Sequence, residues 1–132
     1  MMESPAYPRF IVIDDDPFNN LLCSGNIRQL FPDTDIQTFT NPVTALDYIR
    51  IEYPTAGPQT TMLFLDITMP ELLAWEVLDS FEAFGAEVKQ QFKIYILSSS
   101  LDVNDIEKAN SNPRISGYIH KPLDVPQLLN LF

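Results

Sequence analysis

An α/β fold, with a parallel sheet covered by helices on both faces, is what this sequence predicts, and two observations carry the prediction. Short apolar runs rich in β-branched residues alternate with longer stretches of helical periodicity, in five βα repeats from residue 10 to residue 132. Three of the runs, at 10–13, 62–65 and 94–97, are apolar without interruption, which is the pattern of strands buried on both faces. Such strands, separated by amphipathic helices, close as a parallel sheet because the crossovers cover each face.

The elements follow in order. Phe10-Ile11-Val12-Ile13 is the first strand and ends abruptly in Asp14-Asp15-Asp16. A helix over 17–31 comes next, with Phe18, Leu21, Leu22, Ile27 and Leu30 near helical spacing. Pro17 fits its first turn and Asp16 its N-cap, and Pro32-Asp33 breaks it. Residues 35–39 alternate polar and apolar, as in a strand nearer an edge. Asn41-Pro42 caps and opens a second helix, whose inner face is Val43, Ala45, Leu46 and Ile49. Pro54, Gly57 and Pro58 make a loop of residues 53–61.

The third strand, at 62–65, ends at Asp66. A helix is expected from about residue 73 to residue 84, presenting Val77, Leu78 and Phe81. The fourth strand, at 94–97, ends in Ser98-Ser99-Ser100, and Asp102 caps a short helix over 103–109. A last short strand at 117–119 ends at His120-Lys121-Pro122, and residues 125–132 close with one or two helical turns.

The 132 residues fit a single domain, 1–132, that can bury its own core. Eight Lys and Arg stand against 18 Asp and Glu, a net charge of −10. That balance argues against a nucleic-acid partner, which needs clustered basic residues, and against an anionic membrane surface. Cys23 has no second cysteine for a disulfide, and with His120 alone it cannot build a zinc site. No apolar run approaches the ~20 residues that span a bilayer. The first residues lack a basic end followed by an apolar stretch, so a cytoplasmic protein is expected.

In an open parallel sheet, ligands gather outside the carboxyl ends of the strands. Here Asp14, Asp15 and Asp16 follow the first strand, Asp66 and Thr68 the third, Ser98 and Ser99 the fourth, and Lys121 the fifth. Each alone reads as a cap, a loop residue or a solvated lysine; the coincidence of all four strand ends is the signal. Carboxylates brought together repel one another, and a hard dication with oxygen ligands, Mg²⁺, relieves them. A phosphoryl group would then meet the ion, the Lys121 ammonium and the Ser98 hydroxyl. A carboxylate in line with its phosphorus can form an aspartyl phosphate.

Ile13-Asp14-Asp15-Asp16, Leu65-Asp66-Ile67-Thr68-Met69-Pro70, Ile96-Leu97-Ser98-Ser99-Ser100 and Tyr118-Ile119-His120-Lys121-Pro122-Leu123 occur in order at those ends. With them the chain resembles the receiver domain of two-component response regulators, of the single-domain, chemotaxis-regulator-like kind, from about residue 10 to residue 132. The resemblance implies the flavodoxin-like (βα)5 architecture with strand order 2-1-3-4-5 and no output domain. It implies that Asp66 is the phosphoacceptor. Asp14 and Asp15 would bind Mg²⁺, Asp15 directly, together with Asp66 and the backbone carbonyl of Thr68. Ser98 would hydrogen-bond the phosphoryl group and Lys121 would pair with it. Tyr118 would be the switch aromatic, and the Lys121–Pro122 bond would be cis. The partners implied are a sensor histidine kinase or a His-containing phosphotransfer protein, and a downstream protein target met through residues 103–132. His120 is given no catalytic role.

The chain departs from the family pattern in places. Ala74 stands where glycine is usual, so the loop at Leu72-Leu73-Ala74 is expected to be reshaped, and Leu72 and Leu73 are apolar for that loop. Thr68 occupies a position that tunes phosphate lifetime in the family. Pro42, where glycine is common, matters little at a helix start. Two enzyme-like or cofactor-binding alternatives fit worse. Haloacid-dehalogenase phosphatases need a second Asp two residues after the nucleophile, where this chain has Thr68. A flavin phosphate would be repelled by Asp14-Asp15-Asp16. The protein is therefore not expected to be an enzyme beyond its own phosphorylation and dephosphorylation. A pseudo-receiver, binding a protein without being phosphorylated, is the remaining alternative.

Overall fold

A computed structural model of the protein describes residues 8–53, 60–67, 74–99 and 102–132. The chain runs β1 (Arg9–Ile13), α1 (Pro17–Leu30), β2 (Ile36–Phe39), α2 (Pro42–Glu52), β3 (Thr61–Asp66), α3 (Ala74–Phe81), α4 (Ala86–Lys89), β4 (Phe92–Ser98), α5 (Val103–Ser111), β5 (Ile115–His120) and α6 (Val125–Leu129). The strands form one parallel sheet in the order β2-β1-β3-β4-β5.

Alternation along the central strands divides the core in two. Ile11, Ile13, Leu63, Leu65, Ile94 and Ile96 face one layer, covered by Ala45 and Ile49 of α2, Val77 and Phe81 of α3 and Ala109 of α5. Phe10, Val12, Met62, Phe64, Tyr95 and Leu97 face the other, where Cys23 and Ile27 of α1 and Leu128 of α6 close over them. β3 is buried along its whole length, so its continuous apolar run has a partner on each side. Three helix starts are fixed as the sequence suggested. Asp16 accepts from Phe18 N at 3.0 Å, Asn41 from Val43 N at 2.8 Å and Asp102 from Asn104 N at 2.8 Å. None of the described helices is long and apolar enough to cross a membrane.

Some expectations need correction. The strands at 94–97 and 117–119 extend to Phe92–Ser98 and Ile115–His120. The helix expected over 73–84 ends at Phe81, and a turn leads to the unexpected α4, which buries Val88. On α1, Phe18, Leu21 and Leu22 lie exposed, and Asn19, Asn20, Cys23 and Ile27 form the buried face. Val43 is likewise exposed, while Ala45 and Ile49 carry the inner face of α2. Ala74 opens α3, fully buried, and no described residue has positive φ. Its methyl group therefore packs into the core without backbone strain.

Candidate functional site: an acidic cluster around Lys121

Strand register builds the site. Ile13 of β1 pairs with Leu65 of β3, so Asp14 and Asp66 emerge side by side at the centre of the sheet. Asp66 pairs with Leu97, which brings Ser98 one residue beyond it, and Ser98 pairs with His120, which places Lys121 next. The Lys121 peptide is held in turn: its N–H donates to the Ser98 carbonyl at 2.9 Å, and the Lys121–Pro122 bond is cis. Asn26 of α1 donates to the Leu123 carbonyl at 2.8 Å, and Gln127 donates to the His120 carbonyl at 3.0 Å. The segment carrying Lys121 is thus tied to β4, α1 and α6.

The Lys121 ammonium sits between two carboxylates, 2.7 Å from Asp14 Oδ2 and 3.1 Å from Asp66 Oδ1. Asp14 is fully buried, Asp66 nearly so, and Asp15 exposed. One oxygen from each of Asp14, Asp15 and Asp66 lies within 4.8 Å of the others. Asp16 stands apart from this group as the cap of α1. Burial first, and then the charge of Asp14, push the Asp66 carboxyl up to about 6, against the opposing pull of Lys121. For Lys121, burial works against the charged form, but its hydrogen bond to Asp14 and the charge of Asp66 outweigh it, and the ammonium is held above its usual range. Ser98 is buried at the end of β4, and Tyr118 is partly buried against the core face that holds Ile96. His120 is exposed. Thr68, Leu72 and Leu73 lie outside the described residues.

Two residues at the site escaped the sequence reading. Asn19 donates to Asp14 Oδ2 at 2.6 Å. Asn20 donates to the carbonyls of Asp14 at 3.0 Å and Phe39 at 3.3 Å, strapping the end of β1 to the end of β2. Helical phase held the signal: counting back from Cys23 and Ile27, the inner face of α1 reaches Asn19 and Asn20.

No protein-family model matches the chain. A two-component response regulator from Cytophaga hutchinsonii is similar in structure, with 32% identity, a TM-score of 0.83, and 94% of this chain and 92% of that one covered. A response regulator receiver protein from Dyadobacter fermentans is 26% identical with a TM-score of 0.84, over 95% of this chain and 94% of that one. In sequence, a probable methanogenesis regulatory protein, FilR2, of Methanothrix harundinacea is 24% identical over 118 residues, 89% of this chain and 74% of that protein.

Proposed function

The chain belongs to the receiver domains of two-component response regulators, and from that premise we propose that it accepts a phosphoryl group from a phosphohistidine onto Asp66 and signals through protein contacts. The observation that supports this most is the Lys121 ammonium shared between Asp14 and Asp66 at 2.7 and 3.1 Å. With Asp66 ionised, three clustered carboxylates against that one ammonium leave an excess of negative charge of the size and hardness that suits Mg²⁺. Asp14, Asp15 and Asp66 are the residues that would hold the ion, with the Thr68 carbonyl as the family's further ligand. When bound, Mg²⁺ supplies charge neutralisation for the phosphoryl oxygens.

The chain's own part is positioning and electrostatics. The Asp66 carboxylate, ionised at neutral pH with its pKa at about 6, attacks phosphorus. The P–N bond of the phosphohistidine breaks and its electron pair returns to the imidazole. Lys121 remains an ammonium and follows the phosphoryl oxygens, and the Ser98 hydroxyl donates to them. The added charge of about −1.5 to −2 then draws on Ser98 and favours the arrangement in which Tyr118 turns further inward. The change is read at the surface of α5, β5 and α6.

The phosphodonor is a sensor histidine kinase or a His-containing phosphotransfer protein, and the receiver of the signal is a further protein. Phe18, Leu21 and Leu22, exposed on the helix whose first turn borders the acidic cluster, offer the donor an apolar contact continuous with the site. Phosphoramidate, a small P–N donor, tests the chemistry. Borohydride reduction of the product followed by peptide mapping is expected to mark residue 66. Marking of another residue, or of none, contradicts the reading.

A further inference from the structure

Asn19 rests on the reading of the site as a phosphoryl acceptor and adds a part to it. Its side chain is buried on the inner face of α1. Asp14 accepts only, so the Asn19 atom facing it is the amide nitrogen, 2.6 Å from Oδ2. That nitrogen also reaches Cys23 Sγ at 3.7 Å, one turn along the helix. The same Asp14 oxygen pairs with Lys121 at 2.7 Å, and Asp14 Oδ1 accepts from Asp16 N at 2.9 Å. Asp14 has no exposed surface, so an oxygen left there without a donor is costly.

Lys121 has to loosen from Asp14 to follow a phosphoryl group onto Asp66. With Asn19 in place, Asp14 Oδ2 keeps a neutral donor when it does. We propose that Asn19 is a positioning residue for phosphoryl uptake, holding Asp14 Oδ2 so that the Lys121 ammonium is free to move to the phosphoryl oxygens. Asn19 touches none of the reacting atoms and acts through Asp14 and Lys121.

The test follows phosphorylation by acetyl phosphate at saturating Mg²⁺ in the wild type, in Asn19→Leu, which removes the donor and keeps the branched shape, and in Asn19→His, whose imidazole carries an N–H at a comparable reach. The maximal rate of Asn19→Leu is expected to fall about tenfold, the size of one hydrogen bond to a charged group. The KM for acetyl phosphate is expected to stay within about twofold, and Asn19→His to recover most of the rate. Asn19→Ala carries the same expectation as Asn19→Leu if the latter folds poorly. A full rate in Asn19→Leu or Asn19→Ala overturns the proposal. So does equal slowing in Asn19→Leu and Asn19→His, or a loss that tracks the folded fraction alone. Wild-type protein that takes up no phosphoryl group defeats the reading of the site itself, and this inference with it.

Discussion

Lys121 Nζ stands 2.7 Å from Asp14 Oδ2, inside the sheet's carboxyl edge, and Asp14 itself is fully enclosed. The ammonium is the cationic partner of a carboxylate that has no exposed surface. Removing it leaves clustered acids without a counter-charge. Lys121→Met is expected to destabilise the Mg²⁺-free protein by about 3 kcal/mol, as for a broken buried ion pair. Mg²⁺ should recover more stability in the variant than in the wild type, because the ion then supplies the missing positive charge. Urea unfolding with Mg²⁺ and with EDTA measures both. Phosphorylation of the variant by acetyl phosphate should slow about a hundredfold.

Asp66 makes stability depend on pH. Its carboxyl, near 3.8 when unfolded, titrates at about 6 in the folded protein, pushed up by burial and Asp14. The folded state therefore holds a proton that the unfolded state has released. The stabilising contribution is fully present below about pH 4 and is lost as pH rises through about 6. Without Mg²⁺, Asp66→Asn should be more stable than the wild type by about 2 kcal/mol at neutral pH. The fall in wild-type stability across that window should be absent in the variant. A set of urea melts between those pH values decides it.

The strand ends were legible because they obey simple rules. Uninterrupted apolar runs stop at Asp14, Asp66 and Ser98, and parallel register carries Lys121 to the same edge. The inner face of α1 was not. Phe18, Leu21 and Leu22 look like core by composition, yet helical phase set by Cys23 and Ile27 turns them outward and Asn19 and Asn20 inward. The buried amide nitrogens are tolerated because Asp14 and Phe39 supply acceptors that belong to other elements. The end of α3 at Phe81 was misplaced for a related reason: Phe84 packs partly against the same core and imitates a further helical turn.

The exposed apolar residues of α1 give a test that separates donor types. Leu21→Glu is expected to leave the rate with acetyl phosphate unchanged and to slow transfer from a phosphorylated histidine protein about tenfold, since a charge would replace apolar surface at the proposed donor contact. Parallel time courses with the two donors check it. Equal effects on both donors would place the contact elsewhere.

Cys23 is buried beneath the acidic cluster, and burial, then the charge of Asp14, raise its thiol to about 11. It should stay protonated and react with a disulfide reagent about a hundredfold more slowly in the folded protein than in urea. Thiol labelling followed by absorbance measures the ratio.

The proposed role in signalling stands or falls with the Mg²⁺-dependent uptake of one phosphoryl group by Asp66. Intact mass after incubation with acetyl phosphate, for the wild type and Asp66→Asn, with Mg²⁺ and with EDTA, tests it most directly. A gain of one phosphoryl group is expected in the wild type with Mg²⁺ and none in the other samples. An unmodified wild type, in the presence of a cognate kinase as well as acetyl phosphate, would contradict it and leave a protein-binding module that keeps the fold without the chemistry.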